Sequence, residues 1–171
     1  MLQTLMTTRI WIALAALALA LETSVFHQIH HSIFFYGFIF SSTWFAYLFY
    51  YTQQIGQFRN HVLLILSLLL TITCGSFIYA EINWLLLCCI SSLSILYLLP
   101  IAYKLKLIPF QLHLSHATKL FLLAGVWWTT TYLLPLEDVP SSPFEIQFGL
   151  YRGLMISILC LLFYIKDDDN L

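Results

Sequence analysis

The stretch HSIFFYGFIFSSTWFAYLFYY, residues 31–51, carries no Asp, Glu, Lys or Arg. A helix that crosses a bilayer needs about 20 predominantly apolar residues, and this run supplies them unaided. Its apolar residues are continuous rather than alternating, which selects a helix over a strand of a membrane barrel. The same criterion, carried outward in both directions, predicts spans over residues 10–26, 32–51, 62–80, 82–102, 117–135 and 148–166. The whole chain is 61% apolar and 9% charged, with a mean hydropathy of +0.87. A water-soluble fold of 171 residues cannot hide that much hydrocarbon, so the lipid bilayer is the expected solvent. The expected fold is an all-α membrane protein, a polytopic bundle of about six transmembrane helices. Residues 1–171 form one transmembrane helical domain in this scheme, and no nucleic-acid partner is expected.

Basic residues in short loops favour the cytoplasmic side. With the amino terminus inside, Arg9, Arg59, Lys104, Lys106, Lys119 and Lys166 fall in or beside cytoplasmic gaps, and only Arg152 falls outside. Glu22, Glu81, Glu137, Asp138 and Glu145 collect on the outer side. Both termini are therefore expected in the cytoplasm, with a bacterial plasma (inner) membrane as the location. Arg9 followed by residues 10–21 also fits a secretory signal peptide, which would remove the first helix from the count.

Between the spans, residues 136–147 contain Pro140 and Pro143 and read as an external loop. Residues 103–116 alternate polar and apolar side chains, are basic, and suit the cytoplasmic membrane surface. Cys74, Cys88, Cys89 and Cys160 fall inside spans and read as small packing residues. His27, His30 and His31 have the spacing of one helix face and thus of a metal site, or else they cap an external turn. His113 and His116 pose the same choice. The aromatic residues of 31–51 encircle their helix, either lining a cavity or packing against neighbours. No ionisable residue is expected near mid-span, which argues against an ion pathway.

Asp167, Asp168 and Asp169 stand at the carboxyl end of the sixth span, where a helix carries partial negative charge. Lys166 offsets some of that repulsion, and a bound Mg²⁺ would offset more, since this ion takes one or two carboxylates plus substrate phosphates. A solvated polar terminus is the other reading.

The segments RIWIALAALALALETS, FIFSSTWFAYLFYYTQQ, SILYLLPIAYKLK, ATKLFLLAGVWWTTTYLLP and LLFYIKDDDNL follow one another in an order and spacing that resembles the UbiA superfamily of intramembrane prenyltransferases, within a short bacterial branch. The resemblance implies the first two thirds of that family's helical bundle. It further implies Mg²⁺ held by Asp-rich motifs on a prenyl diphosphate, and transfer of the prenyl group to an acceptor, commonly an aromatic ring. On that basis Asp167, Asp168 and Asp169 would hold the metal, and Lys104, Lys106, Lys119 and Arg59 would bind the diphosphate. Two positions depart from the pattern. The second helix ends AYLFYYTQQIGQF with none of the family's aspartates, and Tyr164 stands where the first aspartate of the second motif belongs. A non-catalytic remnant, or an assembly partner for another membrane protein or a second copy, is the alternative that follows from these departures.

Overall fold

The computed structural model describes residues 10–55, 58–80, 82–104, 115–136 and 142–168, leaving out the side chains at 50–60, 98–104, 116 and 162–168. Among the described residues there are six α-helices and no strand: α1 (Ile10–Phe26), α2 (Ile33–Ile55), α3 (Phe58–Phe77), α4 (Trp84–Lys104), α5 (His116–Trp128) and α6 (Pro143–Asp168). A short π-helical turn, Thr129–Leu133, prolongs α5. Each predicted span overlaps a helix, and one segment, Pro143–Leu161, is long and apolar enough by itself to cross a membrane.

Polar residues just outside each apolar run decide where the helices begin. The Ser32 hydroxyl accepts from the Phe35 amide at 3.4 Å, and the Asn83 carboxamide oxygen accepts from the Leu85 and Leu86 amides at 3.2 and 3.3 Å. Ser115 accepts from the Thr118 amide at 3.2 Å. These side chains satisfy amides that have no partner within the helix. At its far end α1 closes with Gln28 in the left-handed region, φ 57°. The Gln28 amide reaches the Val25 carbonyl and the Ile29 amide the Ser24 carbonyl, the paired bonds of a Schellman motif usually built on glycine.

The chain divides into two compact units, Met1–Ile82 and Asn83–Leu171. In the first, α2 packs against both α1 and α3. Ala13, Ala16 and Ala20 form a buried stripe of small residues on α1, and Ala13 lies against Trp44 and Leu48 of α2. The α2–α3 contacts run in opposite order along the two helices. Phe34 stacks on Phe77, Gly37 meets Cys74, Phe38 covers Gly75, and Leu48 sits in the cluster with Leu63 and Leu64. A Cβ on Gly37 would stand 3.0 Å from Cys74 Sγ, so glycine is what lets the helices close to this distance. The aromatic residues of α2 with described contacts are thus used in packing.

In the second unit α5 packs against α4 and α6. Ala124, Ile156 and Cys160 make its core, backed by Leu120, Leu123, Trp127 and Trp128.

Small hydroxyl residues share the interior with apolar ones, and the outward faces are apolar too. Ser24, Ser41, Ser67, Thr23, Thr130 and Thr131 are buried. Most return their hydroxyls to a carbonyl one turn back, as Thr23 does to Leu19, Ser67 to Leu64 and Thr131 to Trp127. Meanwhile Val62, Ile65, Leu69 and Ile72 of α3, and Leu150, Leu154, Ile158 and Leu161 of α6, are exposed at helical spacing. These helices are apolar on their outward faces as well as their inward ones.

Candidate functional site

The predicted basic and acidic groups fall at helix ends. Lys104 is the last residue of α4, Lys119 is half-buried in the first turn of α5, and Asp167 and Asp168 close α6. Arg59 lies in the first turn of α3, in the other unit. Lys106 and Asp169 lie outside the described residues. The α5–α6 contacts run in opposite order, from Tyr132 over Gly149 to Ala124 beside Ile156 and Cys160, so the helices are antiparallel. The start of α5 and the end of α6 therefore share one end of the second unit. Lys119 adjoins Leu120, which packs on that core, and Asp167 follows Cys160 by seven residues, about 10 Å along the helix axis.

The opposite end of the same helix pair is built differently from the sequence reading. Residues 136–147 do not form one external loop, because α6 begins at Pro143, five residues before the expected Phe148. The Ser142 amide donates to Glu145 Oε2 and the Glu145 amide to the Ser142 hydroxyl, both at 3.1 Å. This reciprocal capping box, with proline in the first helical position, fixes the start. The pattern Ser142-Pro143-Phe144-Glu145 was the available signal.

Likewise α5 does not continue as a regular helix to Pro135. The Leu134 amide reaches back five residues to the Thr129 carbonyl at 2.8 Å, and the last turn widens. Proline at 135 cannot extend the α-helical ladder, and the hydroxyls of Thr129 and Thr131 compete for carbonyls one turn back. The indole of Trp128 donates to the Gly149 carbonyl at 2.8 Å, and the Tyr132 hydroxyl donates to the Glu145 carbonyl at 2.6 Å. Gly149 and Gly153, four residues apart, leave the α6 backbone open to both rings.

Arg152 belongs to this cluster. It is 5% exposed, its guanidinium carbon lies 5.4 Å from the centre of the Phe148 ring, and it stands in the third turn of α6.

The histidine triplet is not a helix face. His27 sits in the turn after α1, His30 and His31 lie in the connection to α2, and His31 stacks on Phe35 with ring centres 4.0 Å apart. Among the described residues no group of three His, Cys, Asp or Glu side chains could hold a metal ion. Cys74 and Cys160 are buried in the packing, whereas Cys88 and Cys89 are exposed on α4.

Compared with protein-family models, curated proteins and solved structures, the chain matches none.

Proposed function

We propose that the chain is an integral membrane protein, a six-span helical bundle that binds a prenyl diphosphate at its cytoplasmic end and transfers the prenyl group to an acceptor. The membrane part rests on the outward faces of α3 and α6, which carry branched apolar residues at helical spacing, with small hydroxyl residues among the buried ones. The helices also have spanning dimensions, with α2, α3, α4 and α6 at 23, 20, 21 and 26 residues. The chemical part is supported by the antiparallel course of α5 and α6, which puts the start of α5, with Lys119, and the end of α6, with Asp167 and Asp168, at the same end of the second unit. Lys104, the last residue of α4, the helix that packs on α5, belongs to the same proposed set.

Breaking the allylic carbon–oxygen bond leaves the electron pair on diphosphate oxygen, and the acceptor then attacks the cation and loses a proton. Cationic groups at that oxygen lower the barrier by taking up developing charge. In the second unit Lys104, Lys106 and Lys119 are the groups for this, and the amino end of α5 adds its own positive potential. The α6 backbone stays helical through Asp168, so Asp167 and Asp168 are positions about 100° apart that do not share a face. That placement fits one carboxylate on an ion completed by diphosphate oxygens, as Mg²⁺ accepts. When bound, Mg²⁺ supplies Lewis-acid neutralisation of the leaving group.

The test is binding and turnover of a radiolabelled prenyl diphosphate by purified protein in detergent, with and without Mg²⁺. Mg²⁺-dependent binding that Asp167→Ala, Asp168→Ala and Asp169→Ala abolish supports the transferase; no such binding sinks it. One observation favours the non-catalytic alternative: the end of α2 reads YYTQQI and offers no carboxylate for a second metal site. Metal-dependent binding without turnover for any aromatic acceptor would select that alternative.

A further inference from the structure

Each unit is a set of three helices whose middle member, α2 in the first and α5 in the second, packs against both outer ones. In each, the third helix runs antiparallel to the middle one. The two third helices also share a local sequence. Residues 67–74 of α3 read SLLLTITC and residues 153–160 of α6 read GLMISILC, 86 positions further on. The same offset lays Phe58 on Phe144 and Leu64 on Leu150. An offset of 83 lays Phe38, Ser41 and Trp44 of α2 on Phe121, Ala124 and Trp127 of α5. The difference of three residues between the offsets falls in the connection between middle and third helices.

Two apolar helices share residues by composition alone, so equivalence requires that matched positions do the same physical work. The Thr71 hydroxyl donates to the Ser67 carbonyl and the Ser157 hydroxyl to the Gly153 carbonyl, both at 2.8 Å. Cys74 and Cys160 are both buried against the middle helix, the first at Gly37 of α2 and the second with Ala124 of α5. The small residues Ser41 and Ala124 are buried at matched places of the middle helices. On the outward faces, Leu68 and Leu154 are exposed alike, as are Ile72 and Ile158. One matched pair departs, since Leu70 is exposed and Ile156 is buried in the core of the second unit.

We infer that the chain is built from two copies of one three-helix unit, residues 1–82 and 83–171, whose third helix docks on the middle one through a small residue, a hydroxyl and a cysteine at a fixed spacing. Membrane bundles are often assembled from internal repeats that show only as weak sequence symmetry, and small residues on the docking face let the helices approach. The copies differ in charge. Lys119 and Arg152 stand where the first copy has Tyr36 and Leu66, so the shared positions are packing positions and these two cations are particular to the second copy. The inference does not rest on the prenyl-transfer reading, because it concerns only how each unit packs.

The experiment exchanges blocks within the full chain and follows thermal unfolding in mild detergent by circular dichroism. One variant carries GLMISILC at residues 67–74, in the matched register, and its reciprocal carries SLLLTITC at residues 153–160. A control carries LMISILCL, the sequence of residues 154–161, at residues 67–74. That shift of one position turns every side chain by about 100° around the helix. Its changes include Ser67→Leu and Cys74→Leu at the two buried positions of the block. The matched variants exchange residues of similar volume and are expected to melt within about 4 °C of wild type, whereas the control should melt at least about 8 °C lower or fail to fold. Tolerance of the matched block in either direction, with failure of the control, supports the repeat. Matched blocks that lose as much as the control in both directions overturn it. So does a control that melts with wild type, because the register would then carry no information.

Discussion

The ring of Tyr132 lies so closely over Gly149 that a Cβ at that position would stand 2.5 Å from Cε1 of the tyrosine. Absence of a side chain at 149 is therefore a condition for the hydrogen bonds of Trp128 and Tyr132 to α6. Gly149→Ala is expected to destabilise the second unit by about 1–3 kcal/mol, as overpacking does. Pairing it with Tyr132→Ala removes the clashing ring, so the double variant should lose less than the two singles added together. Thermal unfolding in detergent reads this directly.

Gln28 occupies the left-handed position of the α1 Schellman turn, where a Cβ costs roughly 1–2 kcal/mol and glycine avoids that cost. Glycine gives back part of the gain through its greater freedom when unfolded. Gln28→Gly should therefore raise stability by about 0.5–1 kcal/mol. A fall in the unfolding midpoint would show that the Gln28 side chain contributes more than its backbone strain removes.

Ser142 starts α6 through the reciprocal bonds with Glu145. Ser142→Ala should cost about 1 kcal/mol, and Ser142→Asp should recover most of it, because aspartate caps equally well. Equal melting of serine and alanine forms would mean that the tertiary contacts of Trp128 and Tyr132 alone set the helix start.

Leu154 is exposed on the outward face of α6. On the surface of a water-soluble protein, Leu154→Arg would be close to neutral. In a bilayer it should cost about 2.5–3.5 kcal/mol of insertion free energy. The measurement is the fraction of the expressed chain that stays with membranes after alkaline extraction; an unchanged fraction argues against lipid on this face.

Gly37 and Cys74 set the separation of α2 and α3. Gly37→Ala brings its methyl to about the limit of contact and should cost roughly 1 kcal/mol, with larger residues costing more. Cys74→Ala should relieve Gly37→Ala. Additive losses would show that the helices are held apart elsewhere.

The helices were readable from local pattern because hydrocarbon run length is a local property. All six expected spans fall on helices, and α1 falls on residues 10–26 as expected. The ends were less readable where only apolar run length was considered. Ser142 with Glu145 is a local signal lying outside the hydrophobic run, and it sets the start of α6 at Pro143. The predicted site was readable only as a set of charges at helix ends, and for Lys106 and Asp169 it falls outside the described residues.

The chain by itself determined the helical class, the apolar runs and the collection of Lys104, Lys119, Asp167 and Asp168 at helix ends, because each depends on residues close together in sequence. Only the tertiary structure decided that Trp128 and Tyr132 bind carbonyls at 149 and 145, and that Arg152 is buried against Phe148. Those relations need a widened turn in one helix, a glycine face on the next and an antiparallel register between them. That register is set by how two surfaces fit, and neither helix specifies it alone.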